Sequence, residues 1–152
     1  RKAITLLDRA CQVPSNLKAY PTNRHDSWNM GRQERTLYHM AVCHEKLDLP
    51  DEARKCYDKL LSFKNDTGWE RAWCFRAWQG RYFQALALRK IGQDAMAHTI
   101  FEALEQIARH NRVLPDAARL ALLDMADRGR FAPDDAIDPQ GQAVEVTTKV
   151  EL

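Results

Sequence analysis

Two stretches decide the fold: LYHMAVCHEKLDLPDEARKCYDKLL at 37–61 and RYFQALALRKIGQDAMAHTIFEALE at 81–105. Set 44 positions apart, Leu37-x2-Met40-Ala41-x2-His44 falls over Arg81-x2-Gln84-Ala85-x2-Leu88. Likewise Ala53-x3-Tyr57-x2-Leu60 falls over Ala97-x3-Phe101-x2-Leu104. Apolar residues three and four apart line one face of an α-helix, so each stretch reads as two helices around a short break. Pro50 suits the first turn of a helix, with Asp51 and Glu52 favouring its positive end. Gly92 supplies a left-handed stop before Asp94 opens the next helix. Small residues at Ala41, Ala53, Ala85 and Ala97 let paired helices approach closely. Tyr57, Leu60, Phe101 and Leu104 are expected to fill the space between pairs.

Working outward, Arg1 to about Val13 places Ala3, Leu6, Leu7 and Ala10 on one helical face, in register as Ala3-x3-Leu7-x2-Ala10. Pro14 ends that helix, and Ser15 to His25 reads as loop. Asp26 or Ser27 caps a second helix running to about Leu47, and the third ends near Lys64. Thr67 and Glu70 form a capping-box pair before a fourth helix reaching Ile91. The fifth spans Asp94 to about His110, and the sixth runs from Pro115 and Asp116 to about Gly129. Residues 130–152 change character: Pro133, Pro139 and Gly141 mark a linker, and Ala143 to Leu152 alternates like a strand. The expected organisation is an all-α domain over 1–129 with about six helices, followed by a linker and an irregular or strand-like tail.

This pattern resembles the tetratricopeptide-repeat (TPR) family, which pairs a small residue in one helix with Ala-x3-aromatic in the next. The resemblance covers about Arg35 to Ala108, and Arg1 to Pro14 looks like the second helix of a preceding repeat. The spacings here, 44 residues from Ala53 to Ala97 and 50 from Ala3 to Ala53, exceed the family norm of ~34. Arg81 and Gln84 stand at positions that are apolar in the family, and the sixth helix is expected to act as a cap. The resemblance implies antiparallel helix pairs stacked as a short solenoid, serving protein–protein interaction or scaffolding. A second similarity, through Pro14-x-Asn16-Leu17, Leu37 to Lys59 and Tyr82 to Arg89 with Gly92, is to large bacterial proteins whose TPR region follows a β-rich domain. It implies an alternative role as an accessory helical domain bracing the catalytic domain of a carbohydrate-active or other enzyme.

In such stacks the first helix of each pair lines a concave groove. The register places Arg35, Tyr38, Val42 and Glu45 there in one pair, and Gln79, Tyr82, Leu86 and Arg89 in the next. The Lys, Asn and Arg with which one TPR subclass clamps chaperone C-termini are replaced here by Tyr38, Val42, Tyr82 and Leu86. The expected ligand is an apolar or mixed protein or peptide segment, from another chain or from the same polypeptide. The chain opens on Arg1 inside a helical pattern, so a longer polypeptide is expected, with Ala3, Leu6, Leu7 and Ala10 covered by a preceding domain or by self-association.

Composition narrows the alternatives. Across 152 residues, 23 basic and 21 acidic side chains are interspersed, for a net charge of +2. The pI near 8.4 falls below the value of about 9 expected of a nucleic-acid-binding domain. No apolar run approaches the ~20 residues of a membrane span. Cys11, Cys43, Cys56 and Cys74 match no zinc or redox spacing; helical, apolar surroundings and a reducing, cytoplasmic setting fit them better. His39 and Cys43 share a helical face but lack the further pair that a closed zinc site needs. No nucleotide-binding loop or nucleophile motif is legible, so neither metal nor cofactor is expected, nor a catalytic activity within this chain alone. Trp69, Trp73, Trp78, Phe75, Tyr82 and Phe83 load one helix with aromatic surface, which reads as core shared between neighbouring helices.

Overall fold

The computed structural model describes residues 2–11, 32–63 and 75–131. Among these it has six helices: α1 (Lys2–Cys11), α2 (Arg32–Glu45), α3 (Pro50–Leu61), α4 (Phe75–Lys90), α5 (Asp94–His110) and α6 (Asp116–Phe131). The caps read at Asp26 or Ser27 and at Thr67 with Glu70 lie outside the described residues, as do the end of the third helix near Lys64 and the alternating tail at 143–152.

Two breaks build the hairpins. At the end of α2 the N–H of Leu49 donates to His44 C=O (3.0 Å) and that of Asp48 to Glu45 C=O (3.0 Å). At the end of α4 the N–H of Gln93 donates to Leu88 C=O (2.8 Å) and that of Gly92 to Arg89 C=O (2.9 Å). Both are Schellman stops, in which a residue at positive φ reverses the chain and satisfies the last helical carbonyls. That residue is Asp48 (φ 57) in one and Gly92 (φ 77) in the other. The next helices also start alike, with Ala53 N–H donating to Leu49 C=O and Ala97 N–H to Gln93 C=O, both at 3.1 Å. Residues 44 positions apart in sequence therefore occupy equivalent backbone sites, and such short breaks force each helix pair antiparallel.

One prediction isolates the backbone part of this device. A Cβ at Gly92 would meet nothing within 4 Å, so substitution there costs only the left-handed conformation. Gly92→Ala should lower stability by about 1–2 kcal/mol. Gly92→Asn should cost less, because short polar side chains tolerate this region, as Asp48 does. Equal denaturation midpoints for wild type and Gly92→Ala would overturn the assignment.

The hairpins stack. α2, α4 and α6 lie side by side; α3 packs on α2 and α4, α5 on α4 and α6, and α1 on α2. α3 buries one face through Ala53, Tyr57 and Leu60, and α5 through Ala97, Phe101, Leu104 and Ala108. α4 is different: every residue from Tyr82 to Leu88 is buried. A helix apolar on all sides is one enclosed by neighbours, and α4 has four.

Gln84 stands within that buried run, and its neighbours explain the polar side chain at an apolar register position. Its amide donates to Leu60 C=O (3.3 Å) and Phe63 C=O (3.0 Å), carbonyls at and just past the end of α3. Between α5 and α6, Asn111 Oδ1 accepts from Val113 N–H (2.9 Å) and Arg119 Nε donates to Ala108 C=O (2.8 Å). The outward stripe of α6 carries Asp116, Asp124, Asp127 and Arg128 beside Leu120 and Phe131, a mostly charged surface suited to the end of a helical stack. At the other end, Ala3 and Leu6 of α1 face outward, Leu6 at 56% exposure. α6 continues past Gly129 to Phe131, so that glycine is an interior helical residue rather than a stop.

Candidate functional site

Three of the eight residues expected to line a groove are core residues instead. Tyr38 and Tyr82 are 3% and 1% exposed, and Leu86 is buried as well. The Tyr38 ring packs against Tyr57 of α3 (centroids 6.2 Å apart) and Phe83 of α4 (5.7 Å). Tyr82 packs against Phe83 (5.5 Å) and Phe101 of α5 (6.1 Å). The reason is the enclosure of α4: with helices on four sides, no length of its middle turns can face an open groove. Among the described residues the Tyr82 hydroxyl has no hydrogen-bond partner. Burial pushes its pKa up to about 12, with Arg128, Asp124 and Arg89 as the nearby charges.

Two others tie the helices together. The Glu45 carboxylate accepts from the Tyr57 hydroxyl (2.9 Å) and pairs with Lys90 Nζ across the hairpins (3.4 Å). Arg89 donates through its guanidinium to Gly129 C=O. That carbonyl would ordinarily receive the N–H of residue 133, and Pro133 has none. Arg35, Val42 and Gln79 remain half-buried at the surface. Of the aromatic-rich helix, Phe75 and Trp78 pack against the core, while Trp69 and Trp73 lie outside the described residues.

The structure brings other residues together where α4 ends, α5 begins and α6 ends. Arg89, Asp94, Ala95, Ala97, His98, Phe101, Gly129 and Arg130 line an open pocket of about 460 Å³. Its floor depends on a missing side chain, since a Cβ at Gly129 would lie 2.2 Å from Cε1 of Phe101. Its lining sets two arginines, Arg89 and Arg130, beside Asp94, His98 and four small or apolar residues. Arg130 donates to Phe101 C=O (3.2 Å) and to the Glu105 carboxylate. Hydrogen bonds from Arg130 and then Arg109 hold the Glu105 carboxyl below its ordinary range. His98 lies 3.3 Å from Glu102 on the exposed side of α5. The chemistry offered is recognition of an acidic group, since guanidinium N–H groups suit carboxylates in particular. Arg89 is the one expected groove residue in this pocket.

Comparison with protein-family models, with curated proteins and with solved structures gave no match to this chain. Among the described residues no three His, Cys, Asp or Glu side chains stand together in a metal-binding arrangement. None of the described helices is long and apolar enough to cross a membrane.

Proposed function

We propose that this chain is an interaction or scaffolding module of the tetratricopeptide-like kind. The observation that supports it is the recurrence, 44 positions apart, of the same Schellman stop and the same first helical hydrogen bond in two stacked hairpins. Stacked hairpins present extended surfaces built from equivalent positions of successive units, which is how helical-repeat proteins engage their partners. The partner is a protein or peptide segment, from another chain or from the same polypeptide. Arg35 and Gln79, half-buried members of the expected groove set, are the residues proposed to meet it. A reducing, cytoplasmic setting suits Cys43, a free thiol on α2.

The test separates binding from folding. Arg35→Glu and Gln79→Ala should change stability by no more than about 0.5 kcal/mol, as surface substitutions usually do. A partner purified on the wild-type chain should bind the double variant at least about tenfold more weakly, the effect of losing one interfacial anchor. Unchanged affinity would remove this surface from the reading.

A further inference from the structure

We propose that copies of this chain associate head to tail, with α1 of one copy packing antiparallel on the outward face of α6 in the next. The inference does not depend on which partner meets Arg35 and Gln79. It rests on the two ends of the helical stack.

The first support is the kind of helix at each end. α2 pairs with α3 and α4 with α5, in each case a first helix followed by an antiparallel second. α1 carries the second-helix register, Ala3-x3-Leu7-x2-Ala10, in line with Ala53-x3-Tyr57-x2-Leu60. It packs on α2, the first helix of the following pair. α6 lies beside α4 as α4 lies beside α2. Gly129 stands 44 positions after Ala85, which stands 44 after Ala41, and all three are buried. One end of the stack therefore presents a second helix and the other a first helix, the two halves of a hairpin.

The second support is charge complementarity. On α1, Leu6 is 56% exposed and stands between two exposed cations, Lys2 and Arg9. On α6, Leu120 is 66% exposed and stands between two exposed acids, Asp116 and Asp124, with Asp127 one turn further on. At about 1.5 Å per residue, the cations stand about 10 Å apart along their helix and the flanking acids about 12 Å apart along theirs. An antiparallel approach sets Leu6 over Leu120, Lys2 near Asp124 and Asp127, and Arg9 near Asp116. Asp116 and Asp124 already bridge to Arg119 and Arg128 on their own helix. Exposed bridges of that kind contribute little, and a carboxylate has oxygens to spare for a second cation. The charged face that suits the end of a stack is thereby opposite in sign to α1, and such matching selects a partner and its orientation.

Size and symmetry set the form of the assembly. A contact made by one helix of 10 residues is small, so association is weak and depends on concentration. The two surfaces differ, so every added copy leaves one of each open and growth continues past a dimer.

The experiment is sedimentation velocity on the full chain at concentrations up to about 1 mM. The wild-type mass should rise with concentration beyond that of a dimer. In ~1 M salt, where the Debye length is only ~3 Å, that rise should shrink. Lys2→Glu with Arg9→Glu should be monomeric, and so should Asp124→Lys with Asp127→Lys. An equimolar mixture of the two variants should associate again, because each reversed α1 then meets a reversed α6 and each native α1 a native α6. Leu6→Ser should weaken wild-type association about tenfold, the loss of one interfacial anchor. That variant keeps the test open if circular dichroism shows a charge-reversed chain to be poorly folded. A monomeric wild type, or a mixture of folded variants that stays monomeric, would overturn the proposal. So would association of either reversed variant alone at wild-type strength, which would mean that α1 meets α1 or α6 meets α6.

Discussion

Phe101→Ala and Tyr82→Ala should each lower the free energy of unfolding by about 3–5 kcal/mol, the usual cost of removing a buried aromatic ring. Both rings are at most 1% exposed and pack on each other where α4 meets α5. Each truncation therefore leaves a cavity that helices on several sides hold open. The companion variant Tyr82→Phe should be neutral or stabilising. It removes a buried hydroxyl that has no hydrogen-bond partner among the described residues, so desolvation is relieved and no bond is lost. The pH dependence carries the same information. Burial raises the folded pKa of Tyr82 from the ordinary 10.0 to about 12. Between those values the unfolded chain has released the phenolic proton and the folded chain retains it. Stability contributed by this group is thus complete below pH 10 and is lost as pH rises towards 12. Denaturation curves at pH 9 and pH 11 should show a smaller drop for Tyr82→Phe than for wild type. A heavy loss in Tyr82→Phe, or an Ala variant as stable as wild type, would return Tyr82 to an open surface.

Gly129→Ala should cost about 1–3 kcal/mol, although Ala is normally the better helix former by about 1 kcal/mol. The added methyl would sit 2.2, 2.5 and 2.7 Å from three ring carbons of Phe101. That ring is buried, so relief requires moving it within a packed core. The strain is specific to this pair, and combining Gly129→Ala with Phe101→Leu should cost clearly less than the sum of the two single changes. Additive losses in urea denaturation would mean that α5 and α6 do not approach through Gly129.

The helices were legible from their periodicity, with Pro50 and Gly92 standing at the start and the stop expected of them. The hairpin alignment was legible too: Ala41, Ala53, Ala85 and Ala97 are all buried, and Gly92 takes the positive φ expected of it. The position of Asp48 was less visible, since Asp enters the left-handed region only as an accommodation. The end of α6, expected near Gly129, falls two residues later at Phe131, but the packing role of Gly129 was not legible. Its actual role depends on Phe101, 28 positions earlier, and no local signal encodes that approach. Gln84 carried a faint signal as a polar residue at an apolar register position, but the carbonyls of Leu60 and Phe63 that it satisfies are set by packing. Pro133, four residues after Gly129, likewise hinted at a carbonyl needing another donor without saying that Arg89 would supply it.

The candidate site divides the same way. Period and register placed Tyr38, Tyr82, Leu86 and Arg89 on the first helices of their pairs. They could not say how many neighbours each helix has. Hydrophobic patterning reports that a side chain avoids water, and a groove awaiting a partner and a core already filled produce the same pattern. By itself the sequence therefore determined the helical class, the helix pairing and the 44-residue equivalence, because these rest on backbone hydrogen bonds and contacts a few residues apart. Only the tertiary structure decided that α4 is enclosed, that its aromatics are core, and that a pocket lined by Arg89 and Arg130 lies at the junction of α4, α5 and α6. Those outcomes depend on which distant helices meet and how closely, which is settled by the packing of whole side-chain surfaces.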